Sequence, residues 1–197
     1  MKTFQEKHRV TILQAWGMTE TSPLATVAWP ARDTTGDEHW ALRSTEGRPM
    51  CGVEARIVDD DGNPLPHDGK AVGELEVRGP WITGGYYRGR DESKFDSGWL
   101  HTGDVGRIDP LGYVTLTDRA KDVIKSGGEW ISSLELENHL VAHPAVLEAA
   151  VVGVPDERWQ ERPLAVVVLH EGAEATPQEL REFLADKVVR WWLPERW

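Results

Sequence analysis

Arg119, Lys121 and Lys125 fall close together in the stretch Asp118-Arg119-Ala120-Lys121-Asp122-Val123-Ile124-Lys125-Ser126-Gly127-Gly128-Glu129. Such cations can meet phosphate or ribose oxygens. The Gly127-Gly128 pair lets a backbone run close to a ligand, because glycine has no Cβ to clash. Asp118 and Asp122 supply acceptors and a pivot. A solvated, charged turn leading into a glycine hairpin has the same composition, so this segment alone leaves both readings open.

Two further stretches carry chemistry. Trp16-Gly17-Met18-Thr19-Glu20-Thr21 follows an apolar run, and Thr102-Gly103-Asp104 follows Trp99-Leu100-His101. A hydroxyl and a carboxylate at the end of a strand sit where ligands of α/β sheets bind. A hard cation such as Mg²⁺ takes oxygen ligands of this kind and keeps several waters. A carboxylate can accept hydrogen bonds from both hydroxyls of a ribose. A capped turn explains either stretch equally well when it is taken alone.

In this order the three stretches resemble the nucleotide-binding motifs of the adenylate-forming enzymes, most closely the fatty acyl-CoA ligases (acyl-CoA synthetases). The resemblance covers nearly the whole chain. It implies that Thr19 contacts the nucleotide phosphate and that Glu20 helps hold Mg²⁺. Trp16, Gly17 and Met18 then line the nucleotide site, with Trp16 where the family more often has tyrosine beside the adenine. Asp104 becomes the ribose ligand and Arg119 its cationic neighbour. Lys121 takes the hinge position, and Lys125 joins Thr19 and Glu20 in the catalytic centre. Gly127 and Gly128 line the pantetheine path, and Trp130 borders the adenine or thiol channel. The cofactors implied are ATP/AMP, Mg²⁺ and coenzyme A, with a fatty acid as the third substrate. An amino-acid adenylation domain or a luciferase-like enzyme is the alternative within the superfamily.

Two departures from the family pattern carry their own expectation. No Gly/Ser/Thr-rich loop with a following lysine precedes Glu20, and no lysine lies beyond Lys187. The chain therefore reads as a C-terminal-half fragment, inactive alone or able only to bind nucleotide or a partner. A homodimer is expected of the full-length protein.

Composition is ordinary for a soluble globular protein. The chain has 197 residues, 40% of them hydrophobic and 28% charged, within the globular range. Net charge is -11 with no lysine or arginine run, which argues against a nucleic-acid surface. A lone cysteine, Cys51, forms no internal disulfide and fits a reducing, cytoplasmic setting. No apolar run approaches a membrane span.

The elements that must position these residues read as mixed α/β (α+β). Residues 1–118 are expected to form the end of the large AMP-binding domain with a twisted β-subdomain, and 119–197 a small, truncated, mobile α/β C-terminal domain. Val10–Trp16 reads as a buried strand, residues 30–50 as loop, and Gly73–Gly79 as a half-buried strand. Asp59–Pro64 and Asp109–Gly112 are turns. Asp59-Asp60-Asp61 hints at a calcium loop, but the twelfth position would be Lys70 instead of glutamate. Val123–Ile131 reads as a hairpin. Ser132-Ser133-Leu134-Glu135 reads as a capping box opening a helix that buries Leu136 and Leu140. Ala149–Val154 and Leu164–Leu169 read as buried strands, with Trp159–Pro163 in the loop between them. Thr176-Pro177-Gln178-Glu179 starts a helix whose stripe is Leu180, Phe183, Leu184 and Val188.

Overall fold

The computed structural model describes residues 1–89 and 91–197. The chain is a mixed α/β protein that separates into two compact units, Met1–Leu116 and Thr117–Trp197.

The first unit opens with α1 (Lys2–His8). It then forms a small antiparallel sheet from β1 (Ala15–Trp16), β2 (Thr26–Val27) and β3 (Arg48–Pro49), with α2 (Gly36–Arg43) between β2 and β3. Its main sheet is antiparallel: β4 (Glu54–Val58), β5 (Gly73–Arg78), β7 (Trp99–Ile108) and β6 (Phe95–Asp96), in that order. A further strand, β8 (Val114–Arg119), also pairs with β7, and the chain enters the second unit within it. Ile57, Leu75, Val77, Leu100, Ile108 and Val114 fill the core, joined by Trp16. The turns close as their residues dictate. Asp59 Oδ1 accepts the Asp61 and Asn63 amides, and Asp109 Oδ1 accepts those of Leu111 and Tyr113.

Three expectations fail in this unit. Val10–Gln14 is not a buried strand. Only Ala15–Trp16 finds a partner, in β2, and Val10 and Ile12 stay exposed. Beyond Gln14, whose carbonyl accepts the Ala28 amide at 2.9 Å, the run leaves the sheet. Residues 30–50 are not all loop, because α2 lies among them. That helix buries only Leu42 and Arg43, so it leaves no apolar stripe in the sequence. Finally, β5 is covered on both faces. The face opposite Leu75 and Val77 carries Glu76, which is 1% exposed and paired with Arg56.

The second unit is a four-stranded antiparallel sheet in the order β10 (Glu129–Ile131), β9 (Ile124–Ser126), β12 (Gln160–Leu169), β11 (Val146–Asp156). Two helices, α3 (Ser133–Val141) and α4 (Pro177–Ala185), complete it. Ile124, Ile131, Leu136, Leu140, Val151 and Leu184 make the core, with Trp192 and Trp197 packed against it. Among the α4 stripe, Leu180 and Leu184 are buried, and Phe183 meets His143 edge-on. β11 and β12 are longer than expected and only half-buried, since Val152, Val166 and Val168 face outward. Their connection is tight: Asp156 already pairs with Gln160, so residues 160–163 lie in strand and not in a loop.

The start of α3 departs from a capping box. Ser132 Oγ accepts the Glu135 amide at 3.0 Å, as a cap should, but no return bond from the Glu135 side chain closes the box. Asp118 takes that place from across the fold. Its Oδ2 accepts the amides of Ser133 (2.7 Å) and Leu134 (3.2 Å) and the Ser133 hydroxyl (2.9 Å). A carboxylate here satisfies orphan amides and meets the positive end of the helix dipole. Asp118 therefore fastens the strand leaving β8 to α3. Asp118→Ala should lower the stability of the second unit by about 1–2 kcal/mol, the worth of a helix cap. Denaturant unfolding checks this, with Asp122→Ala as the neutral comparison.

Candidate active site

In the first unit, two of the sequence stretches meet. Trp16 Nε1–H donates to Asp104 Oδ2 at 2.7 Å, across 88 positions of sequence. Both residues are buried, Asp104 being 4% exposed. A carboxylate so deep needs donors, because an unpaired buried charge is costly. Asp104 sits inside β7 rather than after a strand. It is placed there by a bulge: Glu74 pairs with Val105 and Glu76 with His101, so Thr102, Gly103 and Asp104 all face Leu75. Gly103 supplies the left-handed backbone (φ +72°) that the bulge requires. Thr102 Oγ1–H donates to the Leu75 carbonyl at 2.7 Å and accepts the Asp104 amide.

The loop after Trp16 is held by local bonds. Gly17 passes so close to Pro23 that an added Cβ would lie 1.8 Å from its carbonyl oxygen. Thr19-Glu20-Thr21 forms one 3₁₀ turn after Met18. Thr21 is fully buried and ties the turn together, accepting the Met18 amide and donating to the Pro23 carbonyl. Thr19 is exposed and Glu20 half-buried. Thus one threonine of the pair is structural and the other faces outward.

Glu20 has a partner that pattern reasoning missed. The Tyr86 hydroxyl donates to its Oε1, and the Glu20 carbonyl accepts the Thr83 amide at 2.8 Å. The Tyr86 bond holds the Glu20 carboxyl below the usual range against the opposing effect of burial, with lesser help from its own backbone amide and Lys94. The same bond, with burial, pushes Tyr86 from 10.0 up to about 12. No signal precedes Tyr86 beyond the flexible Gly84-Gly85 pair. Among the described residues no group of three or more His, Cys, Asp or Glu side chains gathers to hold a metal. Glu20 nonetheless fits Mg²⁺ as a single carboxylate ligand. It stays anionic, and one oxygen remains beside the Tyr86 bond for an ion completed by phosphate and water.

In the second unit, Arg119 ends β8 and starts a turn, its carbonyl accepting the amides of Asp122 and Val123. Lys121 is largely exposed, 3.7 Å from Asp122. Gly127 and Gly128 are the two turn residues of the β9–β10 hairpin, with φ +61° and +86°, as a type I′ turn demands. Lys125 and Trp130 pair across it, the ammonium 5.0 Å from the ring centre. Gly127 has a second reason to be glycine. An added Cβ would come within 2.8 Å of the Trp159 ring, and its amide donates to the Trp159 carbonyl at 2.8 Å. Glu161 Oε2 accepts the Lys125 amide at 2.9 Å.

Beside this hairpin lies a cavity of about 600 Å³, lined by Gly127, Trp159, Arg162, Arg181, Arg190 and Trp191 among others. Arg162 is buried against it, donating to Ser126 Oγ (3.1 Å), the Trp191 carbonyl (2.8 Å) and Glu195 (3.0 Å). Arginines and indoles around one cavity, with Glu129 and Glu195 also in its lining, suit a phosphorylated ligand with an aromatic base. Trp191, half exposed, belongs to this rim rather than to the core.

The Glu20–Tyr86 bond has a titration signature. Glu20 is depressed, so its contribution to stability is present above its unfolded pKa and lost as pH falls through the folded value. Tyr86 is raised, so its contribution is present below 10.0 and lost as pH rises through about 12. Phenolate absorbance should therefore show one tyrosine titrating near 12, and Glu20→Gln should bring it back toward the ordinary value.

Comparison with known proteins agrees with the motifs. The model of the AMP-binding enzyme family matches residues 1–87, and that of the AMP-binding enzyme C-terminal domain matches residues 135–197. A 3-methylmercaptopropionyl-CoA ligase from Ruegeria lacuscaerulensis is 51% identical over 98% of this chain and 36% of its own length. A long-chain-fatty-acid–CoA ligase from Thermus thermophilus is 46% identical over 96% of the chain and 36% of its own. The chain thus spans about a third of the relatives it matches. Among solved structures, o-succinylbenzoate CoA synthetase from Bacillus subtilis, in complex with its acyl-adenylate intermediate, superposes with TM-score 0.78. It is 31% identical, over 98% of this chain and 38% of that one. ATP-bound MatB from Rhodopseudomonas palustris gives TM-score 0.76 at 32% identity, over 98% and 37%. No helix among the described residues is long and apolar enough to cross a membrane. With its two family models taking in most of the sequence, and its relatives acyl-CoA ligases, the chain belongs to the AMP-binding, adenylate-forming enzymes.

Proposed function

We propose that the chain is the nucleotide-handling and thiol-handling part of an AMP-forming acyl-CoA ligase acting on a fatty acid. In the first half-reaction a carboxylate attacks the α-phosphate of ATP and releases pyrophosphate, leaving an acyl-adenylate. In the second, the thiol of coenzyme A attacks the acyl carbon and AMP leaves. Such chemistry needs fixed charge and donors around the phosphate more than it needs an acid or base.

The residues divide the work. Asp104, held by Trp16, accepts the ribose hydroxyls, and Arg119 supplies a cation for the nucleotide. Thr19 donates to the phosphate. Glu20, kept anionic by Tyr86, is the protein ligand of Mg²⁺, which neutralises phosphate charge when bound. Trp16, Gly17 and Met18 shape this nucleotide site. Lys125 neutralises the phosphoryl centre, Lys121 is the hinge, and Gly127, Gly128 and Trp130 border the thiol path. The arginine-lined cavity beside Gly127 suits the phosphates of coenzyme A. The domain reading follows: residues 1–118 end the AMP-binding domain and 119–197 belong to its mobile partner. The fatty-acid assignment rests on the named fatty-acid ligases among the relatives. The cytoplasmic setting rests on the free thiol of Cys51, which is exposed.

The observation that carries the reading is the Trp16–Asp104 bond. It joins two motifs far apart in sequence at one buried carboxylate. A second reading is nucleotide binding without turnover by these residues, since the chain spans about a third of the relatives it matches. Calorimetry with AMP and an acyl-CoA formation assay separate the two. Asp104→Asn should weaken AMP binding about 10- to 100-fold, the worth of hydrogen bonds to a charged group. Unchanged affinity in that variant ends the ribose assignment, and thioester formation by the chain itself ends the second reading.

A further inference from the structure

The bulge that carries Asp104 is held by a polar relay on the face of β5 opposite the core. Glu74, Glu76 and Arg78 share that face by the two-residue period of the strand. Glu76 lies directly across from His101 in β7. The His101 Nδ1 is 3.0 Å from Glu76 Oε1 and 3.6 Å from Glu74 Oε2. The other Glu76 oxygen accepts Arg56 Nε–H at 2.5 Å. Arg56 and Arg78 both stack on Trp99, their guanidinium carbons 4.3 and 4.5 Å from ring centres. The far end of the relay reaches backbone: Glu74 Oε1 accepts the Gly103 amide at 3.1 Å.

That last contact stands apart from ordinary ladder pairing. Where the ladder is broken, the Gly103 amide has lost its place in the strand pattern. A side chain supplies its acceptor instead, one residue before Asp104. Thr102 fixes the same segment through the Leu75 carbonyl. Gly103 has an open Cβ position and no side-chain packing of its own. Its conformation therefore depends on these two bonds. Glu76 is almost fully buried, so Arg56 and His101 are bound to stay with it, and His101 in turn faces Glu74.

We propose that Glu74 is a positioning residue for the nucleotide site, held in place by His101 and Glu76, and that it sets the direction of the Asp104 carboxylate without touching ligand. This rests on the reading of Asp104 as the ribose ligand. Small displacements of a binding group are expensive, and side chains that fix the backbone beneath one matter accordingly.

The Trp16 indole proton reports the outcome directly, since it donates to Asp104. Its NMR resonance can be assigned by its loss in Trp16→Phe. In the present chain, Glu74→Ala and His101→Ala should shift that resonance and speed hydrogen exchange at the Gly103 amide. Both should weaken AMP binding about tenfold, on the scale of a misplaced contact. Glu74→Gln keeps an acceptor for Gly103 and should restore the parent behaviour. Glu54→Gln, which breaks the exposed Glu54–Arg78 pair on the same sheet, should leave the Trp16 resonance and AMP affinity as in the parent. If Glu74→Ala leaves the Trp16 resonance and Gly103 exchange unchanged, the relay is overturned, whatever the affinities. If Asp104→Asn has no effect on AMP binding, the ribose reading falls, and the resonance and exchange data alone decide the relay.

Discussion

A buried carboxylate bonded to a buried indole is the constraint on which the first unit's chemistry depends. Asp104 has little water to lean on, so its charge must be met by protein donors. Trp16 meets it while also serving as a core residue, which fixes the indole by packing as well as by hydrogen bonding. The bond therefore registers two loops against one hydrophobic cluster. One is the Gly17–Thr21 turn, shaped by the close pass of Gly17 and the buried hydroxyl of Thr21. The other is the β7 bulge, shaped by the left-handed backbone at Gly103. Each of these would be an ordinary irregularity without the other.

Charge is distributed unevenly for a chain of net -11. Acidic groups in the first unit are mostly engaged: Glu20 by Tyr86, Glu76 by Arg56, Glu54 by Arg78, and Asp59, Asp68 and Asp109 by backbone amides of their own turns. The second unit gathers Arg162, Arg181 and Arg190 around one cavity, with Glu129 and Glu195 also in its lining and Glu195 paired to Arg162, so a modest cationic excess remains there. A local field of that kind can select an anionic ligand even where the global field repels it. The engagement of Asp118 at the start of α3 follows the same logic, with the helix amides acting as the cation.

What could be read from residues was what depends on near neighbours. The Gly127-Gly128 hairpin, the Asp59 and Asp109 turns, the Thr176 cap of α4 and the stripe of Leu180 and Leu184 all follow from local chemistry. What was hidden depends on distant partners. Val10–Gln14 has the composition of a strand, but its pairing reaches no further than Gln14, whose carbonyl accepts the Ala28 amide, and Val10 and Ile12 stay exposed. Helix α2 buries too little to leave a stripe. Glu20 and Asp104 could be picked out by motif, yet Tyr86 and Trp16, which hold them, stand 66 and 88 residues away. Glu74 and His101 read as routine alternation in two strands until their register is known. Asp118, legible as a charged turn residue, turned out to cap a helix fifteen residues on.

The contact between Trp159 and Gly127 has a mechanical consequence. The short glycine hairpin is joined to the end of the long β11–β12 hairpin by a backbone bond, by the indole seated against bare backbone, and by Glu161 on the Lys125 amide. Three attachments at one corner leave it no independent hinge. Any push delivered to the glycine tip is transmitted through the indole into the longest strands of the sheet, so the tip behaves as the rigid prow of its unit instead of a flap that yields.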